Sequence, residues 1–229
     1  MKIFNFAFGP YPQRVSIYLA EKGLKDVDVV LLDPPGVGAE WPPAALKDLT
    51  PSTSLPILID DDGTVLGHSL AILEYLEDTR DGPDMRGRTP AIRARTREIV
   101  SAFDEALTFF GLWGKHGSRL GDGIERKSRD VSEICSARYF QKLRLIERGL
   151  VGSPFLAGDR PTIADCVAMA TLQYTSDFYE VPIPDDCHQL SAWYVRFSTR
   201  PSVLPSQFPD AQHTIARGLM SQTGIGVPV

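Results

Sequence analysis

Apolar residues recur along this chain with two different periods, one in each half. Residues 2–7, KIFNFA, alternate and predict a short strand. Tyr11 to Gly23 carries helical spacing, with Val15, Tyr18 and Leu19 on one face and Gly23 at the stop. Val27 to Leu32 is continuously apolar, the pattern of a strand buried in a parallel sheet. Asp33 to Pro43 contains Pro-Pro-Gly and Pro-Pro and predicts a loop. Leu55 to Ile59, the turn Asp60-Asp61-Asp62-Gly63 and Thr64-Val65-Leu66 predict a hairpin. Ser69 to Asp78 predicts a helix with Leu70, Leu73 and Leu76 or Tyr75 turned inward. The order is strand, helix, strand, short helix, hairpin, helix: a β-α-β unit followed by a β-β-α unit.

Strand signals then stop. Residues 81–89, with Gly82-Pro83 and Gly87, read as a linker between a unit at 1–80 and a second unit at 90–229. Ala91–Lys115, Asp122–Gly149, Thr162–Thr175 and Asp186–Arg200 all carry helical spacing, so the second unit is expected to be an all-helical bundle. The fold class is therefore α/β followed by all-α. Thr162-Ile163-Ala164-Asp165 has the form of a capping box, in which hydroxyl and carboxylate satisfy free amides at a helix start; a structural role accounts for it. The segment after Pro201 has no clear pattern.

Composition narrows the function classes. The 229 residues are 43% hydrophobic and 23% charged, ordinary for a globular protein, with a formal net charge of -5. That balance argues against nucleic acid as a partner, which calls for clustered Lys and Arg. Cys135, Cys166 and Cys187 are widely spaced with no C-x-x-C pair. Buried thiols in a reducing compartment are expected, without a disulfide framework or a metal site. The chain enters its first strand pattern at once, with no leader-like segment and no apolar run of membrane-spanning length. The expected location is the cytoplasm, away from membranes.

Two spots in the first unit could hold a ligand. Pro56 opens a strand. A cis Leu55-Pro56 peptide would turn the backbone of Leu55 outward to pair with a ligand's own peptide group; an ordinary trans proline at a strand edge is the alternative. Gly67-His68-Ser69 joins a strand to a helix, where amides and a hydroxyl form an anion site, although Ser69 as a simple N-cap explains the same pattern.

Together these residues resemble a family. Leu49-Thr50-Pro51-Ser52-Thr53-Ser54-Leu55-Pro56-Ile57-Leu58, with Gly67-His68-Ser69-Leu70-Ala71-Ile72-Leu73-Glu74-Tyr75-Leu76, resembles the signature of the glutathione transferase superfamily. Tyr11-Pro12-Gln13-Arg14-Val15, Phe155 to Asp165, Trp193 and Arg200-Pro201-Ser202 fit the same pattern, so the resemblance spans roughly residues 1–205. It implies a thioredoxin-like N-terminal domain, a helical-bundle C-terminal domain and a cis Pro56. It implies glutathione as co-substrate, with Leu55 holding the cysteinyl part, His68 and Ser69 holding the γ-glutamyl carboxylate, and Ser54 near the glycyl carboxylate. It implies a homodimer. Most relatives carry Glu or Gln at the position of His68, and many carry a basic residue or a backbone contact at that of Ser54.

The reaction of such proteins needs a thiolate. Relatives commonly place Ser, Cys or Thr four or five residues before an Arg or Lys; counting back from Arg14 gives Pro10 and Gly9, which carry no donor. Tyr11 is the nearest phenol and the candidate activator; packing against the acceptor pocket, or activation by backbone amides of the first helix, are its alternatives. Arg14 could contribute charge or pair with a carboxylate. An acceptor pocket between the domains is expected to involve Trp113 and His116, with Phe103 more in the core, and Asp104 could reach the γ-glutamyl ammonium. The expected function is addition of the glutathione thiolate to a small apolar electrophile, with peroxide reduction as a further activity and detoxification as the role. A non-catalytic binding protein and a glutathione-dependent lyase or isomerase are the alternatives.

Overall fold

The computed structural model describes residues 1–33, 44–47, 54–123, 126–150 and 152–227. The expected loop at 33–43 lies, apart from Asp33, outside the described residues, as do Leu49–Thr53 of the signature segment. No helix of the described residues is long and apolar enough to cross a membrane.

Strand β1 (Lys2–Asn5) pairs in parallel with β2 (Asp28–Leu31) and antiparallel with β3 (Ile57–Ile59), which pairs with β4 (Val65–Gly67). The sheet order is β2-β1-β3-β4. Strand alternation sends the register partners Ile3 and Leu58 into the main core, whereas Phe4 and Ile57 face a smaller cluster with Leu46 and Leu55. Leu46 belongs to α2 (Ala44–Lys47). Two helices pack on the main-core side. Helix α1 (Pro10–Lys22) starts on a proline, whose missing N–H costs nothing there. It stops at Gly23, φ 77°, with the Gly23 and Leu24 amides bonded back to the carbonyls of Ala20 and Leu19 at 3.2 and 2.9 Å. Helix α3 (Ser69–Thr79) buries Ile72, Leu73 and Leu76. This is the β-α-β unit followed by a β-β-α unit that the pattern predicted, and the thioredoxin-like half that the resemblance implied.

The second half is helical: α4 (Pro90–Gly117), α5 (Arg129–Gly149), α6 (Ile163–Gln173), α7 (His188–Ser198), α8 (Asp210–Ala216) and α9 (Leu219–Thr223). Every residue of α6 is buried, which makes it the central helix. It packs on α1, so one apolar core runs from Ile3 and Val15 through Phe103 and Met169 to Trp193. Polar contacts lock the seam. The Ile163 amide donates to the Met85 carbonyl at 2.8 Å, and Arg200 donates to both carboxylate oxygens of Glu21 at 2.6 and 2.8 Å.

The fold departs from the sequence pattern in three places. Strand β2 is a sheet edge bonded only to β1 among the described strands, and Val29 and Leu31 are exposed rather than buried. Helix α6 ends early and continues as a π-helical turn, Tyr174–Phe178. The unpatterned tail forms α8 and α9, short helices that close over the bundle through Ala216 and Leu219.

Candidate functional site

The turn after β1 is held from inside. Asn5 donates its amide to the Pro12 carbonyl at 3.1 Å, and Gln13 donates to the Ala7 carbonyl at 2.6 Å. Gly9 adopts φ 99°, a left-handed conformation that a side chain would strain, and its carbonyl accepts the Gln13 amide at 3.0 Å. The turn therefore delivers the start of α1, with Tyr11 half-exposed, to the edge of the sheet. Across from it the Leu55-Pro56 peptide is cis. His68 precedes α3 at φ 63°, a backbone state few non-glycine residues adopt, and one often found at functional sites. The expected cap role of Ser69 is corrected: His68 holds the cap position without a side-chain cap hydrogen bond, and Ser69 is the buried first residue of the helix. The first-turn amides of α3 are left without helical acceptors.

These pieces converge. Tyr11, Arg14, Ser54, Leu55, His68, Ser69, Leu70 and Asp104 line one cavity of about 330 Å³. It lies where α1, the start of β3 and α3 meet α4 of the helical half. Arg14 is its buried cation, with a side chain 1% exposed. Its Nη2 lies 2.9 Å from Asp104 Oδ1, but the contact is off hydrogen-bond alignment: among the described residues, Nε and Nη2 of Arg14 and Oδ1 of Asp104 have no hydrogen-bond partner. The guanidinium also sits 5.0 Å from the Tyr11 ring centroid. Burial pushes the Tyr11 phenol above its ordinary range, with Arg14 pulling it back down and Asp104 adding to the rise. Tyr11 is therefore a protonated phenol at neutral pH, a donor rather than an acceptor of charge.

The structure does not bring Trp113 and His116 to this cavity. Trp113 is fully buried, packed edge-on to Phe110 and Phe140 with ring centroids 5.6 Å away in both cases. It is core of the helical domain, as are Phe103 and Phe110. His116 lies half-buried in the last turn of α4. An aromatic wall does stand near Tyr11, but it comes from the turn and the π-helix. Phe8 lies 5.5 Å from Phe178, and Tyr174 stacks on Phe178 at 5.5 Å with planes 15° apart. Burial, and after it Tyr179, raises the Tyr174 hydroxyl well above its ordinary range, with a smaller contribution from Tyr11. Helical spacing at 174–178 gave no sign of this wall, since a π-turn breaks the period that would have announced it.

Comparison with known proteins gives the context. Residues 8–79 match the family described as glutathione S-transferase, N-terminal domain, and residues 118–201 match its C-terminal domain. The chain is 30% identical over 214 residues to glutathione S-transferase 2 of Saccharomyces cerevisiae, covering 89% of this chain and 88% of that one. The chain belongs to the glutathione S-transferase family. It is also 29% identical over 213 residues to FtsZ-localized protein A of Caulobacter vibrioides, covering 89% of each chain. Among solved structures, a glutathione S-transferase domain-containing protein of Marinobacter aquaeolei VT8 is 32% identical with a TM-score of 0.76, covering 89% of this chain and all of that one. A glutathione transferase family member of Pseudomonas fluorescens Pf-5, solved with bound glutathione, is 25% identical with a TM-score of 0.76, covering 91% and 98% of the two chains.

Proposed function

We propose that this protein is a glutathione transferase that adds the glutathione thiolate to a small apolar electrophile. The observation that carries the reading is the cavity itself. It joins Leu55 beside the cis proline, the uncapped start of α3 and the phenol of Tyr11 in one enclosure. In this reading the backbone of Leu55 pairs with the cysteinyl peptide group, as one strand pairs with another. The amides of α3 and Ser69 receive the γ-glutamyl carboxylate, and Ser54 stands near the glycyl carboxylate. Asp104, whose Oδ1 lacks a hydrogen-bond partner, faces the γ-glutamyl ammonium. Tyr11 donates its hydroxyl to the sulfur. The thiolate attacks an electrophilic carbon held beside Tyr11; a sulfur–carbon bond forms, and the leaving group departs with its electron pair. Holding both reactants in register supplies much of the rate.

A homodimer is part of this reading; exposed Leu112 of α4 and Ile134 and Leu145 of α5 offer it an apolar face. A cytoplasmic location accompanies it. A non-catalytic binding role is the second reading, favoured by one observation: Gly9 and Pro10 present no side-chain donor where relatives commonly carry one. Calorimetric titration with glutathione, alongside conjugation of a generic aromatic electrophile, separates the two. Binding with turnover supports the transferase; binding without turnover towards several electrophiles supports the second reading; no binding at millimolar glutathione removes the first.

A further inference from the structure

The seam between the two halves holds a further cavity, of about 280 Å³. It lies at the opposite end of α1 from Tyr11, where Glu21 meets the linker, the turn before α6 and the end of α7. Its lining shares no residue with that of the cavity described above. Glu21, Asp84, Arg88, Arg160 and Arg200 all line it, and their charges do not cancel. Both acids are already engaged. Arg200 donates through Nε and Nη2 to the two oxygens of Glu21, at 2.6 and 2.8 Å. Asp84 Oδ1 accepts the Arg86 and Gly87 amides at 3.0 and 3.2 Å, and its Oδ2 lies 3.4 Å from Arg93 of α4. Arg88 and Arg160 differ from these. Both are exposed, and among the described residues neither side chain has an ion pair or a hydrogen bond.

Two uncompensated guanidinium charges on one cavity favour an anion, and more so a doubly charged one. The planar fork of each guanidinium matches the oxygens of a phosphate. Arg200 adds a third, fixed cation. It sits between the Phe155 and Phe197 rings, 5.3 and 5.5 Å from their centroids, and its Nη1 takes no part in the bond to Glu21. Pro83, Met85 and Pro161 supply apolar wall beside these charges. The volume falls below the range of about 300–1,000 Å³ usual for drug-sized ligands, so the occupant is small. We propose that this cavity is a binding site for a small phosphate dianion, free or as the monoester of a small alcohol, held by Arg88, Arg160 and Arg200. The proposal is independent of the glutathione reading.

The test is calorimetric titration of the full-length protein with inorganic phosphate and, separately, with glycerol phosphate. It is run at about pH 8, where both probes are dianions, and at constant ionic strength. Wild type is expected to bind with a Kd in the millimolar range or tighter. Arg88→Gln and Arg160→Gln remove exposed side chains without partners, so both variants are expected to fold as wild type does. Each is expected to weaken binding about tenfold or more, the effect of losing one charged donor. Arg97→Gln removes an exposed arginine of α4 that does not line this cavity, and is expected to change the Kd by less than about twofold. Tighter binding of glycerol phosphate assigns the site to a monoester, and equal or tighter binding of inorganic phosphate assigns it to the free ion; either supports the proposal. No saturation of wild type by either probe overturns it. So does binding unchanged in both Arg88→Gln and Arg160→Gln, which would place the anion elsewhere. Equal losses in all three variants overturn it too, since they would report net charge and not a site.

Discussion

Trp193 donates its indole N–H to Asp165 Oδ1 at 2.9 Å, and this bond ties helix α7 to the capping box at the start of α6. The same buried carboxylate accepts the Leu156 amide at 3.0 Å, the Thr162 amide at 2.9 Å and the Thr162 hydroxyl at 3.1 Å. The capping box read from the sequence thus extends in space to helix α7. Because α6 packs on α1, whatever fixes the start of α6 also fixes the floor under the cavity.

Burial outweighs these four donors and pushes Asp165 up to about 6 from an ordinary 3.8. The folded protein then holds the Asp165 proton more tightly than the unfolded chain does. The contribution is most favourable below pH about 4 and declines as the pH rises to about 6, by on the order of 3 kcal/mol. Asp165→Asn leaves the Thr162 amide without its acceptor, at about 1–3 kcal/mol. The expected result is a variant less stable than wild type at pH 4, with the gap narrowing towards pH 7. Urea unfolding at both pH values measures it. A gap independent of pH would mean that the four donors balance burial, and a gap that widens towards pH 7 that they outweigh it.

Lys22 and Glu77 meet at 2.9 Å with side chains 2% and 1% exposed. Glu77 also accepts from Tyr18 at 2.6 Å and from the Met85 amide at 3.1 Å, so one carboxylate ties α1, α3 and the linker together. Removing one partner of a buried pair strands the other charge. Lys22→Met is expected to cost about 3–5 kcal/mol. Glu77→Gln keeps acceptor capacity for Tyr18 and is expected to cost less. Denaturant midpoints of the two variants rank them, and the reverse order would show that the 3.0 Å bond to the Pro83 carbonyl alone does not satisfy Lys22.

How much of this was legible in the sequence follows from what each signal encodes. The hairpin, the stop at Gly23 and the capping box rest on chemistry within a few residues, so they could be read directly. Leu55, His68 and Ser69, which line one cavity, were marked by a strand–proline and a strand–helix junction. Strand β2 misled because continuous apolarity marks burial on both faces, whereas Val29 and Leu31 lie on an edge. Trp113 misled because helical spacing shows that a side shares one face, not whether that face looks into a core or a cleft. The Arg14–Asp104 contact joins residues 90 positions apart, and no local pattern states such a distance.

Trp113 offers a direct check of its core position. It packs against Phe110, Tyr139 and Phe140 and is not one of the residues that line the cavity. Trp113→Ala is expected to destabilise the fold by about 3–5 kcal/mol. Trp113→Phe is expected to fold, with the affinity for glutathione and the KM for a second substrate unchanged. A selective rise in the second-substrate KM would return Trp113 to the pocket.

Tyr11 is the last and most direct test of the chemistry. Its phenol stays protonated, because burial and Asp104 raise its ionisation more than Arg14 lowers it. A hydroxyl donated to an ionised sulfur is worth about 1.5–3 kcal/mol. Tyr11→Phe keeps the ring that Arg14 approaches at 5.0 Å and removes only that donor. The expected outcome is a kcat lowered about tenfold to a hundredfold, with calorimetric affinity for glutathione nearly unchanged, since the loss falls on the thiolate and not on the tripeptide's other contacts. Full activity in Tyr11→Phe would assign thiol activation to the charge of Arg14 and the amides at the start of α1. A loss of glutathione affinity without a change in kcat would instead make Tyr11 a wall of the binding site.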